Sequence, residues 1–184
     1  MAHQVEVLIL QHPLEVANAK NSARLLHLCL PRSRIATGES FPDAGWLAAP
    51  WDDAAPRRLV LLYPETPLDQ AEDLMAPPSR DAAWLSEPAR LRLVVLDGTW
   101  RKSRKMLYRS PPLQQLPRLA LRDVPASRYH IRKAHRPDQL SSFEAACAAL
   151  MQLEENVKGE ASRFQPLLDA FDGFVAQQAA YRER

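Results

Sequence analysis

Four short apolar runs constrain the fold more than any other feature: VEVLIL (5–10), SRIATG (33–38, the weakest), RRLVLLY (57–63) and LRLVVL (91–96). The strongest are apolar throughout instead of alternating, which is the pattern of strands buried on both faces of a parallel sheet. A fifth run, RLALRD (118–123), alternates and is expected at an edge.

Helical segments lie between and after these runs. VANAKNSARLLHLCL carries leucines and Cys29 on one side and stops at Pro31. TWRKSRKMLYR is closed by Pro111 and Pro112. SSFEAACAALMQLEENV opens with Ser141 and, three residues on, Glu144, the pattern of a capping box. FQPLLDAFDGFVAQQAAYR places Leu167, Leu168, Phe171 and Val175 on one side. Alternating strand and helix predicts an α/β fold with a mostly parallel sheet flanked by helices, and 184 residues fit a single domain, 1–184. Proline-rich stretches at 42–56 and 64–88 read as surface loops.

Sixteen prolines against five glycines, with no GxGxxG and no GxxxxGK[ST], argue against a dinucleotide fold or a P-loop enzyme. A net charge of +2 does not by itself mark a nucleic-acid binder, so the distribution of charge has to decide. Cys29 and Cys147 sit in apolar stretches and read as buried thiols. No apolar run approaches the roughly 18 residues of a membrane span, and a cytoplasmic location is expected.

In open parallel sheets the ligand crevice lies beyond the carboxyl ends of the strands. The residues there are Gln11, His12 and Pro13 after the first run, Tyr63, Pro64 and Glu65 after the third, and Asp97 to Trp100 after the fourth. Asp97 leaves an apolar strand and precedes Gly98, so its carboxylate should be partly shielded and able to act as a base or bind an ammonium group. Alternatively, Asp97 or Thr99 caps the helix that follows, and Trp100 belongs to the core.

On that helix Trp100, Ser103, Met106 and Leu107 share one side, while Arg101, Lys102, Arg104, Lys105 and Arg109 spread over the other with Tyr108 among them. No Asp or Glu occurs from Thr99 to Arg122. A second basic group follows at Arg128, Arg132, Lys133, His135 and Arg136, with Tyr129 and His130 interleaved. Two cationic clusters with aromatic neighbours suit a phosphate backbone and a stacked base. The start of the helix at Ser141 could receive a carboxylate tail, although capping alone explains Ser141 and Glu144. His12, before a proline, is a candidate base or a turn residue; His3, His27, His130 and His135 show no ligand spacing, and no metal is expected.

LDGTWRKSRKM, with QHPLEVANAKNSARLL upstream and RPDQLSSFEAACAAL downstream, closely resembles the DTW-domain family of tRNA-uridine aminocarboxypropyltransferases. The resemblance runs from about residue 5 to residue 175. It implies transfer of the 3-amino-3-carboxypropyl group of S-adenosylmethionine to N3 of a tRNA uridine. It also implies kinship with SPOUT-type RNA methyltransferases, whose α/β domain binds the cofactor in loops at a C-terminal knot. The family's signature falls on Asp97, Thr99 and Trp100, expected as catalytic. Its QHP falls on Gln11, His12 and Pro13, its asparagine and arginine on Asn21 and Arg24, and its late pattern on Pro137, Leu140, Ser141, Ser142 and Glu144. The cofactor is expected at Tyr63, Pro64, Leu96, Gly98, Leu140, Ser141, Ser142 and Glu144. RNA is expected at Gln11, His12, Asn21, Arg24, Arg101, Arg104, Lys105, Arg128, Arg132 and Arg136. Many members begin with a cysteine-rich, zinc-binding type of segment, and this chain starts at Met1 without it, which again implies no metal.

Uridine N3 becomes nucleophilic once its proton leaves, so Asp97 as general base suits this chemistry; Asp97 as ligand of the α-ammonium, with the Ser141 helix start or an arginine taking the carboxylate, suits it too. Two other functions fit the same residues: an S-adenosylmethionine-dependent RNA methyltransferase, and a non-catalytic RNA-binding domain.

Overall fold

The computed structural model describes residues 2–18, 21–52, 55–64, 77–79, 82–123, 127, 140–155 and 162–180. Within them β1 (Glu6–Gln11), β2 (Ser33–Thr37), β3 (Arg58–Leu62), β4 (Leu91–Asp97) and β5 (Arg118–Leu119) form one five-stranded sheet of order β2-β1-β4-β3-β5. Every pairing is parallel. The alternating run at 118–123 does lie at an edge, but only two of its residues pair, because β5 meets β3 alone.

The helices are α1 (Ser22–Cys29), α2 (Ala44–Ala48), α3 (Trp100–Tyr108), α4 (Pro111–Gln114), α5 (Ser142–Glu154) and α6 (Gln165–Ala180). They cover both faces, and the period-two alternation of strand side chains explains why the runs are apolar throughout. Val7, Ile9, Leu93 and Val95 pack with Leu26 of α1, Phe143 and Leu150 of α5 and Phe171 of α6. Leu8, Leu10, Val94 and Leu96 pack with Leu47 of α2, Met106 and Leu107 of α3 and Leu113 of α4.

The structure differs from the sequence expectation in three places. Residues 16–18 do not join α1, because Asn21 caps it: the Asn21 Oδ1 accepts the Arg24 N–H at 3.0 Å. The proline-rich stretch 42–56 contains α2, started by Asp43, whose Oδ1 accepts the Trp46 N–H at 2.9 Å. Cys147 is buried as expected, and desolvation pushes its thiol up to about 12, whereas Cys29 is only half-buried. The knot expected of a SPOUT-like chain concerns the stretch leading into α5, of which residues 124–126 and 128–139 lie outside the described residues.

Glu6 on β1 and Arg92 on β4 place opposite charges within the apolar strands, and they meet. Arg92 on β4 is fully buried; its Nε donates to Glu6 Oε2 on β1 at 2.8 Å and its Nη1 to the Leu47 carbonyl at 2.6 Å. Arg57 adds its Nε at 3.3 Å from Glu6 Oε1, and the Arg92 guanidinium lies 4.4 Å from the centre of the Trp51 ring. This pair ties the start of the sheet to α2, far along the strands from their carboxyl ends.

Candidate active site

The β1 connection runs through α1 to β2, and the β4 connection runs through α3 to β5, on the opposite side of the sheet. Adjacent strands whose connections diverge open a crevice at their carboxyl ends. Gln11 and Asp97 are register partners there, the last residues of β1 and β4.

Asp97 is 6% exposed and both its carboxylate oxygens are engaged. Oδ2 accepts from Gln11 Nε2 at 2.9 Å, and Oδ1 accepts from Ser142 Oγ at 2.7 Å. The same Gln11 amide donates to Asn21 Oδ1 at 3.1 Å, so the cap of α1 and the first residue of α5 each lie one bond from the pair. Asp97 is not the cap of α3. That position belongs to Thr99, which accepts the Lys102 N–H at 3.4 Å, so the Thr99 hydroxyl has a structural partner.

A Cβ at Gly98 would stand a tight 3.2 Å from Lys102 Cβ and an ordinary 3.6 Å from His12 Cβ, so the β4 turn runs close to α3 beside the crevice. Lys102 reaches across it, its Nζ 2.7 Å from Glu15 Oε1. Asn21 Nδ2 donates to the Glu15 carbonyl at 3.2 Å, which fixes the turn carrying Glu15.

Ser141 and Glu144 form the expected capping box, with the Glu144 N–H on Ser141 Oγ and the Ser141 N–H on Glu144 Oε2. Ser127 Oγ also donates to Glu144 at 2.9 Å. A carboxylate already occupies the start of α5, and its charge opposes a second one there. Leu140 is half-buried before the cap, and Leu96 packs into the core beneath the crevice.

Gln11 and His12, both expected at the RNA, are buried. His12 Nδ1 accepts the Leu14 N–H at 3.2 Å and its Nε2 lies 3.7 Å from Glu39 Oε1, while its backbone N–H donates to the Asp97 carbonyl. Trp100 is not core: it is 48% exposed, edge-on to the buried Tyr63 ring with centroids 5.9 Å apart. Arg118 lies over that tyrosine at 5.3 Å, and burial raises the tyrosine's pKa above its ordinary value. Pro64, Arg24, Arg101, Arg104 and Lys105 are exposed. Glu65, Arg128, Arg132, Lys133, His135, Arg136 and Pro137 lie outside the described residues.

Glu39, just past β2, joins the site from the end of the second run, a position to which the ends of the first, third and fourth do not point. It takes Arg109 Nη1 at 2.6 Å and Lys105 Nζ at 3.4 Å, and the Lys105 hydrogen bond and charge hold its carboxyl below the usual range. The cationic face of α3 is thus partly balanced by acids from other elements.

A family model described as DTW domain matches residues 1–179. The chain belongs to the DTW family. It is 29% identical over 168 residues to a tRNA-uridine aminocarboxypropyltransferase 2 of Drosophila melanogaster, covering 88% of this chain and 61% of that protein. It is 27% identical over 177 residues to the mouse protein of the same description, covering 94% of this chain and 55% of the relative. The chain therefore spans little more than half the length of the curated relatives it matches. No solved structure matches it. In this DTW protein the signature divides its labour: Asp97 turns into the crevice, Thr99 caps α3 and Trp100 stands at the rim. Among the described residues, no group of three or more His, Cys, Asp or Glu could hold a metal ion, and no helix is long and apolar enough to cross a membrane.

Proposed function

We propose that this DTW protein transfers the 3-amino-3-carboxypropyl group of S-adenosylmethionine to N3 of a uridine in tRNA. The observation that carries the reading is the Asp97 carboxylate, held by Gln11 and Ser142 at the crevice where the connections of β1 and β4 diverge. The three separated stretches that carry the resemblance, through Gln11, Asp97 and Ser142, meet at that one group.

The residues around it fit the donor. A sulfonium is a cation, and the buried carboxylates Asp97 and Glu144 flank the start of α5. Tyr63, Leu96 and Leu140 offer aromatic and apolar surface, and Pro64, Gly98, Ser141 and Ser142 complete the set that would hold it. When bound, S-adenosylmethionine supplies an activated γ-carbon and a thioether leaving group. The kinship with SPOUT-type enzymes and their knotted cofactor loops belongs to this same reading.

Asp97 acts here as general base toward the N3 proton of uracil. Gln11 and Ser142 fix its two oxygens and so set the direction in which a carboxylate can take a substrate proton. The alternative, Asp97 as ammonium ligand with the α5 start or an arginine receiving the carboxylate, is left with the arginine, because Glu144 already occupies that turn.

The test is mass spectrometry of nucleosides from tRNA incubated with the protein and S-adenosylmethionine. Aminocarboxypropyluridine with methylthioadenosine is expected, and Asp97→Asn should abolish both while RNA is still bound. S-adenosylhomocysteine as the product would replace this reading with methyl transfer. An unchanged uridine pool, with RNA binding indifferent to Asp97, would leave an RNA-binding domain.

A further inference from the structure

The exposed side of α3 carries two parallel rows at the four-residue spacing that brings helix side chains into line. One row is Trp100, Arg104 and Tyr108, an aromatic residue at each end and a guanidinium between. The adjacent row is Arg101, Lys105 and Arg109, all cationic, the last two shared with Glu39. Trp100 is 48% exposed and Tyr108 is 56% exposed. Both large rings would be expected inside if packing alone governed them, and the helix already has its core side in Ser103, Met106 and Leu107.

We propose that this outer side of α3 is a platform for an unpaired RNA strand, along which the nucleotides flanking the target uridine stack, with Tyr108 as the far stacking residue. The proposal rests on the RNA-modifying function above and names the form of its substrate. At 1.5 Å per residue the row from Trp100 to Tyr108 spans about 12 Å, the length of a few stacked nucleotides at roughly 3.4 Å each. Aromatic rings and guanidinium planes accept the faces of splayed bases, which a paired helix does not offer, while the cationic row follows the phosphates. The row begins at Trp100, three residues past Asp97, so a strand lying on it arrives at the crevice.

Binding of a short uridine-containing single strand, measured by fluorescence anisotropy without donor, tests this. Tyr108→Ala should weaken binding roughly tenfold with an unchanged salt slope, Tyr108→Phe should keep it, and Arg101→Ala should lower the slope. Equal binding by Tyr108→Ala overturns the proposal. So does a duplex that binds as tightly as the single strand, or polyglutamate competing with the same dependence on Tyr108. Because no donor is present, Tyr108-dependent binding supports the platform even if no aminocarboxypropyl product forms, and product without that dependence sinks the platform alone.

Discussion

Ser142 Oγ lies 2.7 Å from Asp97 Oδ1, although 45 residues separate them in the chain. The bond joins the first turn of α5 to the end of β4. Its neighbour Ser141 points the other way, into the cap, so two adjacent serines serve the site and the helix separately.

That division can be measured. Ser141→Ala should lower stability by about 0.5–2 kcal/mol, the usual loss for a helix cap, seen as a shifted urea midpoint. Ser142→Ala should change stability less and turnover more, since it removes a donor to the carboxylate proposed as the base. Similar stability losses with similar turnover would refute the separation.

Gln11→Ala removes another donor to Asp97 and a bond to Asn21. A hydrogen bond to a charged group contributes about 1.5–3 kcal/mol, so the rate of uridine modification should fall tenfold or more. Combined with Ser142→Ala, the loss should depart from additivity, because both substitutions act on one carboxylate. Strictly additive rates would mean that the two donors do not share a task.

Glu6→Gln leaves the buried Arg92 and the half-buried Arg57 without their carboxylate. Breaking one side of a buried pair costs about 3–5 kcal/mol, which denaturant unfolding would detect readily. Since the pair stands at the opposite end of the strands from Asp97, the surviving folded fraction should keep its turnover. A loss below about 1 kcal/mol would show that the pair is not buried as described.

His3 makes stability depend on pH. Its Nδ1–H donates to the Val5 carbonyl at 2.7 Å and its Nε2 accepts the Arg32 N–H at 3.2 Å, so both nitrogens are engaged in the neutral ring. Burial lowers its pKa below 6.5, against the raising influence of Val5 and Glu154. The contribution is therefore complete above that unfolded value and is lost as pH falls through the lower folded one. Unfolding free energies across this range should decline toward acid in the native protein and less in His3→Gln; parallel profiles would exclude His3 as the cause.

Glu39→Gln should release Lys105 and Arg109 to RNA, giving tighter binding and a steeper dependence on salt. Weaker binding with an intact fold would mean that Glu39 holds the site in shape instead of competing with phosphate.

Much of this protein was legible in its residues. Unbroken apolar runs implied strands covered on both faces, Ser141 and Glu144 implied a capping box, and the spacing on α3 separated Ser103, Met106 and Leu107 from the cations. These are local properties: periodicity and capping chemistry act within a few residues. Trp100 escaped the same logic, because helix phase places it with the buried side, and only the end of the sheet leaves its ring exposed beside Tyr63.

The strand order β2-β1-β4-β3-β5 decided the rest. It sets Gln11 opposite Asp97, carries Ser142 and Asn21 to the same crevice, and brings Glu15 and Glu39 against a helix that contains no acid of its own. Hydrogen bonds of about 3 Å depend on which elements are neighbours, and neighbourhood is a property of long-range packing that no sequence window contains. The sequence determined the strands, the caps and the chemistry available; the tertiary structure determined which residue meets Asp97.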